Sequence, residues 1–223
     1  VERTQELVAD IVGLMDSGTV PAASIFIDSP LASKATAIFK RHAAELQNGD
    51  ALLRGLASPN LHVTESVEES KALARFKGFH IIISASGMCD AGRIRHHLRN
   101  WLPEREATVL LVGFQAQGTL GRILQDGAKA VRIQGDDVVV RARITSIDSY
   151  SGHADGPELA DWLAERKPIG QAVFLVHGEE GAIEGLRSRM KVANIIAADR
   201  IFAPEIDDAF DIGGARPFRL APG

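Results

Sequence analysis

Phe79-His80-Ile81-Ile82-Ile83-Ser84-Ala85-Ser86-Gly87-Met88 reads as a β-strand that runs into a loop of small residues. The triple isoleucine is the uninterrupted β-branched run of a strand covered on both faces. Residues 92–101 then return to helical spacing. Strand, tight loop and helix form the unit from which parallel α/β sheets are built. Toward the N-terminus the alternation repeats. Leu7, Val8, Ile11, Val12 and Met15 recur at helical spacing, residues 24–28 form a short strand, and residues 31–46 form a helix. A strand over 61–64 precedes a helix over 66–76, which Ser66 and Glu69 open as a capping box. Toward the C-terminus come a strand over 108–114 and a short helix over 120–125. The pattern predicts a three-layer, doubly wound, mostly parallel sheet.

Near residue 127 the pattern changes, which places a domain boundary between 126 and 127. Apolar runs over 130–134 and 138–147 flank Gly135-Asp136-Asp137, the signature of an antiparallel hairpin. A helix over 156–166, an apolar strand over 172–176 and a helix over 183–190 complete a second, partial α/β region spanning 127–200. Residues 201–223 are expected to form a tail, frayed from Gly213 onward.

Composition bounds the function classes. The 223 residues are 45% hydrophobic and 24% charged, the balance of an ordinary globular protein. No apolar run approaches the roughly 20 residues that span a bilayer, so no membrane partner is expected. Val1-Glu2-Arg3 has neither the basic nor the apolar stretch of a signal peptide. The single cysteine, Cys89, cannot form an internal disulfide and suits a cytoplasmic protein. The net charge of −4 hides basic stretches at 93–99 and at Arg122, Lys129, Arg132, Arg141 and Arg143.

The chemistry-bearing residues lie at strand ends and loops. Ala172-Val173-Phe174-Leu175-Val176-His177-Gly178-Glu179 sets His177 at the carboxyl end of a strand, where open α/β sheets place ligands. His177 is a candidate metal ligand or base, weighed against an ordinary hydrogen-bonded loop histidine. Ser151-Gly152-His153-Ala154-Asp155 places His153 in a sparsely shielded loop, suited to contacting a phosphate oxygen or protonating a leaving group. Asp155 reads as the N-cap of the next helix, with Glu158 three residues on. Ser84, Ser86 and Gly87 offer a backbone cradle for phosphate, and Ser151 adds a further anion-binding donor. Cys89 reads as packing. Asp28-Ser29-Pro30 reads as turn chemistry at a helix start. His96 and His97 are adjacent in a helix and face different sides, so one packs and the other faces solvent or RNA.

Taken in order, several segments resemble the β-CASP nucleases, which are metallo-β-lactamase-fold RNases related to the pre-mRNA 3′-end-processing endonuclease and to RNase J. They are Arg3-Thr4-Gln5-Glu6-Leu7, Asp28-Ser29-Pro30-Leu31-Ala32, Ser84-Ala85-Ser86-Gly87-Met88, Gly92-Arg93-Ile94-Arg95-His96-His97-Leu98, Ser151-Gly152-His153-Ala154-Asp155 and Leu175-Val176-His177-Gly178-Glu179. The resemblance implies that residues 1–126 are most of the β-CASP insert, which helps grip RNA. Residues 127–200 are then the C-terminal segment of the metallo-β-lactamase domain. It further implies that His177 ligates zinc, that His153 is catalytic and contacts the scissile phosphate, and that the Ser86 loop lies beside that phosphate. Ser86, His153 and His177 are therefore expected to share one cleft. The complete family enzyme uses two zinc ions and acts on RNA, and the resemblance admits endonuclease and exonuclease activity alike.

The His-x-His-x-Asp-His zinc motif of the family is absent from these 223 residues. The expectation is a C-terminal half whose partner is an N-terminal metallo-β-lactamase half, and which is inactive alone. A second copy of the chain is a further candidate partner. Two alternatives stand beside this reading. One is a non-catalytic RNA-binding module that uses the basic stretches. The other is a nucleotide- or small-molecule-binding hydrolase with His153 as base, against which the absence of a nucleophile elbow and a P-loop counts.

Overall fold

A computed structural model describes residues 2–150, 152–214 and 217–220. The chain forms two compact units that divide between Ser151 and Gly152.

The first unit begins with α1 (Glu2–Asp16), β1 (Ser24–Ile27), α2 (Pro30–His42), α3 (Gly49–Leu56), β2 (Leu61–Val63), α4 (Val67–Ala72) and β3 (His80–Ile83). These strands make a parallel sheet in the order β2-β1-β3, with Ile25 opposite Leu61 and Ile81. One face carries Ile25 and Ile27, which bury against Val8 and Val12 of α1, Ala32 of α2, and Leu52 and Leu56 of α3. Fully burying each such side chain contributes about 1.5–3 kcal/mol. Ser29 caps α2 by accepting from the Ala32 amide, and Pro30 occupies the first turn, as the sequence predicts.

The unit continues through α5 (Ile94–Trp101), β4 (Thr108–Val112), α6 (Leu120–Gln125), β5 (Ala130–Ile133), β6 (Asp136–Val139) and β7 (Arg143–Ile147). The expected hairpin forms between β5 and β6. Its two-residue loop, Gln134-Gly135, has both φ angles positive, at 54° and 95°. That is the mirror-image turn matched to strand twist. The apolar run 138–147 is not one strand. The Leu102 carbonyl accepts from the Arg141 and Ala142 amides at 2.8 and 2.9 Å, which draws the chain off the hairpin. β7 then pairs in parallel with β4, Leu111 opposite Ser146. A second core joins Leu98, Leu102, Leu111, Leu120 and Leu124 to Val131, Ile133 and Val138. The hairpin therefore packs within the first unit, although the sequence pattern changes near 127. The hydrogen-bonded strands form several small sheets instead of one continuous doubly wound sheet.

The second unit holds α7 (Gly156–Ala164), β8 (Val173–Phe174), α8 (Glu180–Val192), β9 (Ile201–Phe202), β10 (Phe210–Asp211) and β11 (Phe218–Arg219). Parallel β8 and β9 cover a core of Ala160, Leu175, Met190, Ile195, Ile196 and Ile201. The segment expected as a tail is partly built. β10 and β11 pair antiparallel, and the Phe210 ring packs edge-on against Phe174 and Phe202 at 5.1 and 5.3 Å.

Candidate functional site

The carboxyl ends of β1, β2 and β3 meet at Asp28, whose side chain is fully buried. The strands themselves bring its surroundings together. The Asp28 amide donates to the Ile83 carbonyl at 2.8 Å, and the Thr64 amide donates to the Ile27 carbonyl at 3.1 Å. Oδ2 accepts from Ser70 Oγ at 2.6 Å and from His97 Nε2 at 2.5 Å. Oδ1 accepts from Arg93 Nη1 at 2.7 Å and from the Thr64 hydroxyl. Burial alone would push this carboxyl's pKa up. Hydrogen bonds from His97, Ser70, Thr64 and Arg93 outweigh burial and hold it well below the usual carboxylate range. Asp28 is thus no turn residue. It is an ionised anchor that cannot itself touch a substrate.

The anchor fixes the candidate phosphate loop. Ser84 Oγ donates to the Asp28 carbonyl at 3.0 Å, so the loop leaves β3 tied to the end of β1. From the far side, Gln115 Nε2 donates to the Gly87 carbonyl at 3.0 Å, and Asp90 Oδ1 accepts from the Leu120 amide at 2.9 Å. The Gly121 amide donates to the Met88 carbonyl at 3.0 Å. A Cβ at Gly121 would stand 1.7 Å from Gln115 Oε1, so only glycine permits this brace. Ser86 is half-buried, Gly87 is exposed, and a Cβ at Gly87 would meet nothing within 4 Å. The loop combines a fixed backbone with open space at its tip, as an anion cradle requires. Cys89 is buried in the core beside Leu98 and Leu102. Burial, with the neighbouring Asp90 charge, pushes its thiol up to about 11, which fits packing and not nucleophilic attack.

The helical histidines separate as their spacing predicts: His97 is buried on Asp28, and His96 is exposed beside Gln134. The basic stretch around them has internal partners. Arg93 also donates to the Thr64 and Glu65 carbonyls, Arg95 to the Asp90 carbonyl, and Arg99 pairs with Asp136. Arg122 pairs with Asp126. Arg93, Arg95, Arg99 and Arg122 thus serve the fold before any polyanion, whereas Lys129, Arg141 and Arg143 of the second basic stretch are exposed and make no ion pair among the described residues.

In the second unit, His153 is exposed one turn ahead of α7. Asp155 caps that helix: its carboxylate accepts from the Glu158 amide, and the Glu158 carboxylate accepts from the Asp155 amide, both at 2.9 Å. The expected donor Ser151 lies outside the described residues. His177 follows β8 as an exposed residue in the left-handed region, φ 63°. A β-strand conformation there would continue the strand. The left-handed one turns the chain toward Glu179, the N-cap of α8.

Comparison with known proteins gives the context for these residues. Residues 4–124 match the Beta-Casp domain, and residues 137–203 match the Zn-dependent metallo-hydrolase RNA specificity domain. The chain is 37% identical over 185 residues to Ribonuclease TTHA0252 of Thermus thermophilus, covering 81% of this chain and 42% of that protein. It is 26% identical over 199 residues to Transcription termination factor FttA of Methanosarcina mazei, covering 84% of this chain and 31% of that protein. The FttA of Thermococcus kodakarensis is 36% identical over 104 residues, covering 44% of this chain and 16% of that protein. The chain therefore spans less than half the length of these relatives.

The second of the matched domains implies zinc. A catalytic zinc takes about three protein ligands. Among the described residues, no group of three or more His, Cys, Asp or Glu side chains is placed to hold a metal ion. The described residues do not by themselves make a zinc site. With the Asp28-anchored loop, the His153 and His177 loops and both matched domains in sequence order, the chain belongs to the β-CASP family of metallo-β-lactamase-fold ribonucleases.

Proposed function

We propose that this chain is the β-CASP and RNA-specificity part of a zinc-dependent ribonuclease that hydrolyses RNA phosphodiester bonds in RNA processing or decay. The observation that carries the reading is the succession of the two matched domains, joined to 37% identity with a protein named a ribonuclease. In this reading the loop holding Ser84, Ser86 and Gly87 receives a substrate phosphate through its backbone amides, with Ser151 as an added donor. His153 contacts the scissile phosphate and protonates the leaving oxygen. His177 supplies one ligand of a two-zinc centre, whose other donors come from an N-terminal metallo-β-lactamase half. RNA is gripped between that half and the β-CASP domain.

Two histidine variants test the roles in the longest natural polypeptide that contains this chain. His153→Ala should slow cleavage of a labelled single-stranded RNA by about 10²–10⁴-fold and leave bound zinc unchanged. His177→Ala should lose zinc and cleavage together. Equal zinc loss in both variants would overturn the assignment. So would two tightly held zinc ions on the isolated 223-residue chain.

A further inference from the structure

The two faces of the β2-β1-β3 sheet are built differently. Parallel sheets in α/β folds normally bury both faces under helices, with aliphatic side chains on each. The Ile25–Ile27 face obeys that rule. The alternate face carries rings. Phe26 of β1 lies opposite His62 of β2, and their rings stack with centroids 5.2 Å apart and planes 29° from parallel. Phe76 meets Phe26 edge-on at 4.9 Å and His80 at 5.1 Å, and Trp101 meets His80 at 5.2 Å. Phe26 is buried, His80 and Trp101 are half-buried, and His62 and Phe76 are exposed, Phe76 by 37%. One side of the His62 ring lies on Phe26, so its other side is an open stacking face on the sheet's edge strand.

Arg75 and Lys77 flank Phe76 directly in sequence and are exposed. Among the described residues neither makes an ion pair, unlike Arg93, Arg99 and Arg122. Exposed ring faces with nearby cations match single-stranded nucleic acid, whose unpaired bases offer open π-faces and whose phosphates alternate with them. Duplex RNA hides those faces inside its stack.

We propose that this ring-bearing face of the β2-β1-β3 sheet is an additional RNA-contact surface, separate from the loops at the strand ends. A base stacks on His62 as the next layer of the His62–Phe26 pair, a second packs on Phe76, and Arg75 and Lys77 hold the intervening phosphates. The surface rests on the ribonuclease reading above. Its recognition is tolerant of sequence, because every base has a π-face.

The test is fluorescence anisotropy of the chain with a labelled oligouridylate of about a dozen nucleotides. His62→Ala should weaken binding by about 5- to 10-fold, the lower end of what base stacking gives. His62→Phe should restore it, since the phenyl ring replaces the stacking face. Arg75→Gln with Lys77→Gln should reduce the slope of log affinity against log salt by about 1.4, at roughly 0.7 per phosphate contact on single strands. Thermal unfolding checks that each variant folds. If the wild type binds and His62→Ala binds equally well, or if His62→Phe fails to restore affinity, the surface is wrong while the ribonuclease reading stands. If the wild type binds no RNA, the surface is wrong as well, and the ribonuclease reading is then judged by the histidine variants of the longer polypeptide.

Discussion

Replacing Asp28 by asparagine removes one buried charge and leaves the side-chain volume almost unchanged. Arg93, whose side chain is only 18% exposed, would lose its carboxylate partner. Breaking a buried ion pair from one side costs about 3–5 kcal/mol. A second route gives a similar figure. Asp28 accepts from four side chains: Thr64, Ser70, Arg93 and His97. Each bond changes from charge-assisted to neutral and loses roughly 1 kcal/mol, about 4 kcal/mol together. Ser70 can rotate its hydroxyl to accept from the new amide. His97 can do so only by moving its proton to Nδ1, which is buried and has no partner. The expected loss is therefore about 3–4 kcal/mol.

Urea unfolding reads this directly. Each unit holds one tryptophan, Trp101 in the first and Trp162 in the second. A Trp162→Phe background leaves Trp101 to report on the unit that contains Asp28. With a urea slope of roughly 2 kcal/mol per molar, the midpoint should fall by about 1.5–2 M. The pH dependence carries a definite sign. Because the folded pKa lies below the unfolded value of about 3.9, the stabilisation is fully present above that value. It is lost as pH falls through the folded pKa. The difference between wild type and Asp28→Asn should be flat from about pH 5 to 8 and shrink in acid, by at most about 1.4 kcal/mol per pH unit. A midpoint shift below about 0.5 M at neutral pH, or a difference that grows in acid, would refute the anchor role.

Two further outcomes follow from buried groups. Cys89, with its thiol pushed up to about 11, should resist a thiol reagent at pH 8 in the folded chain and react fully in denaturant; rapid reaction of the native protein would contradict its placement in the core. Tyr150, the single tyrosine, is pushed up to about 12 by burial and by donating its hydroxyl to Asp10 Oδ2 at 2.5 Å. Spectrophotometric titration should place its midpoint near 12, and Asp10→Asn should lower it. The neutral phenol is the favoured folded form, so its stabilisation holds below the unfolded pKa of about 10 and is lost as pH rises through the folded one. A midpoint near 10 in the native chain would refute the contact.

Elements with strong local signals were legible from the sequence. The capping boxes at Ser66 and at Asp155 form as written, because their partners lie three residues away. Helix α3 carried no such signal. Its glycines, Gly49 and Gly55, lower helix propensity, and packing of Leu52 and Leu56 on α1 overrides that preference. The break between β6 and β7 was hidden for the same kind of reason: the Leu102 carbonyl that causes it lies some 40 residues earlier. The strand before His177 is short because hydrogen-bonded pairing to β9 stops after Leu175, whose amide reaches the Phe202 carbonyl at 2.8 Å.

Asp28 shows why the site was less legible than the fold. In sequence, Asp28-Ser29-Pro30 is a turn, and for Ser29 and Pro30 that is correct. The four side chains that redefine Asp28 sit at positions 64, 70, 93 and 97, each on a different segment or turn. Apart from the i, i+4 pair of Arg93 and His97, no spacing rule connects them; only the fold around parallel β1, β2 and β3 does. The same non-local logic reverses the reading of the basic stretch. Arg93 looked available to RNA because its charge is visible in sequence and its partner is not. Arg75 and Lys77, and Lys129, Arg141 and Arg143 of the second basic stretch, make no ion pair among the described residues. Local charge density alone therefore does not say which cations are committed to the fold; internal pairing does. The cations around the helix that holds His96 and His97 are the committed ones, whereas Arg75 and Lys77 flank the exposed ring of Phe76 in sequence.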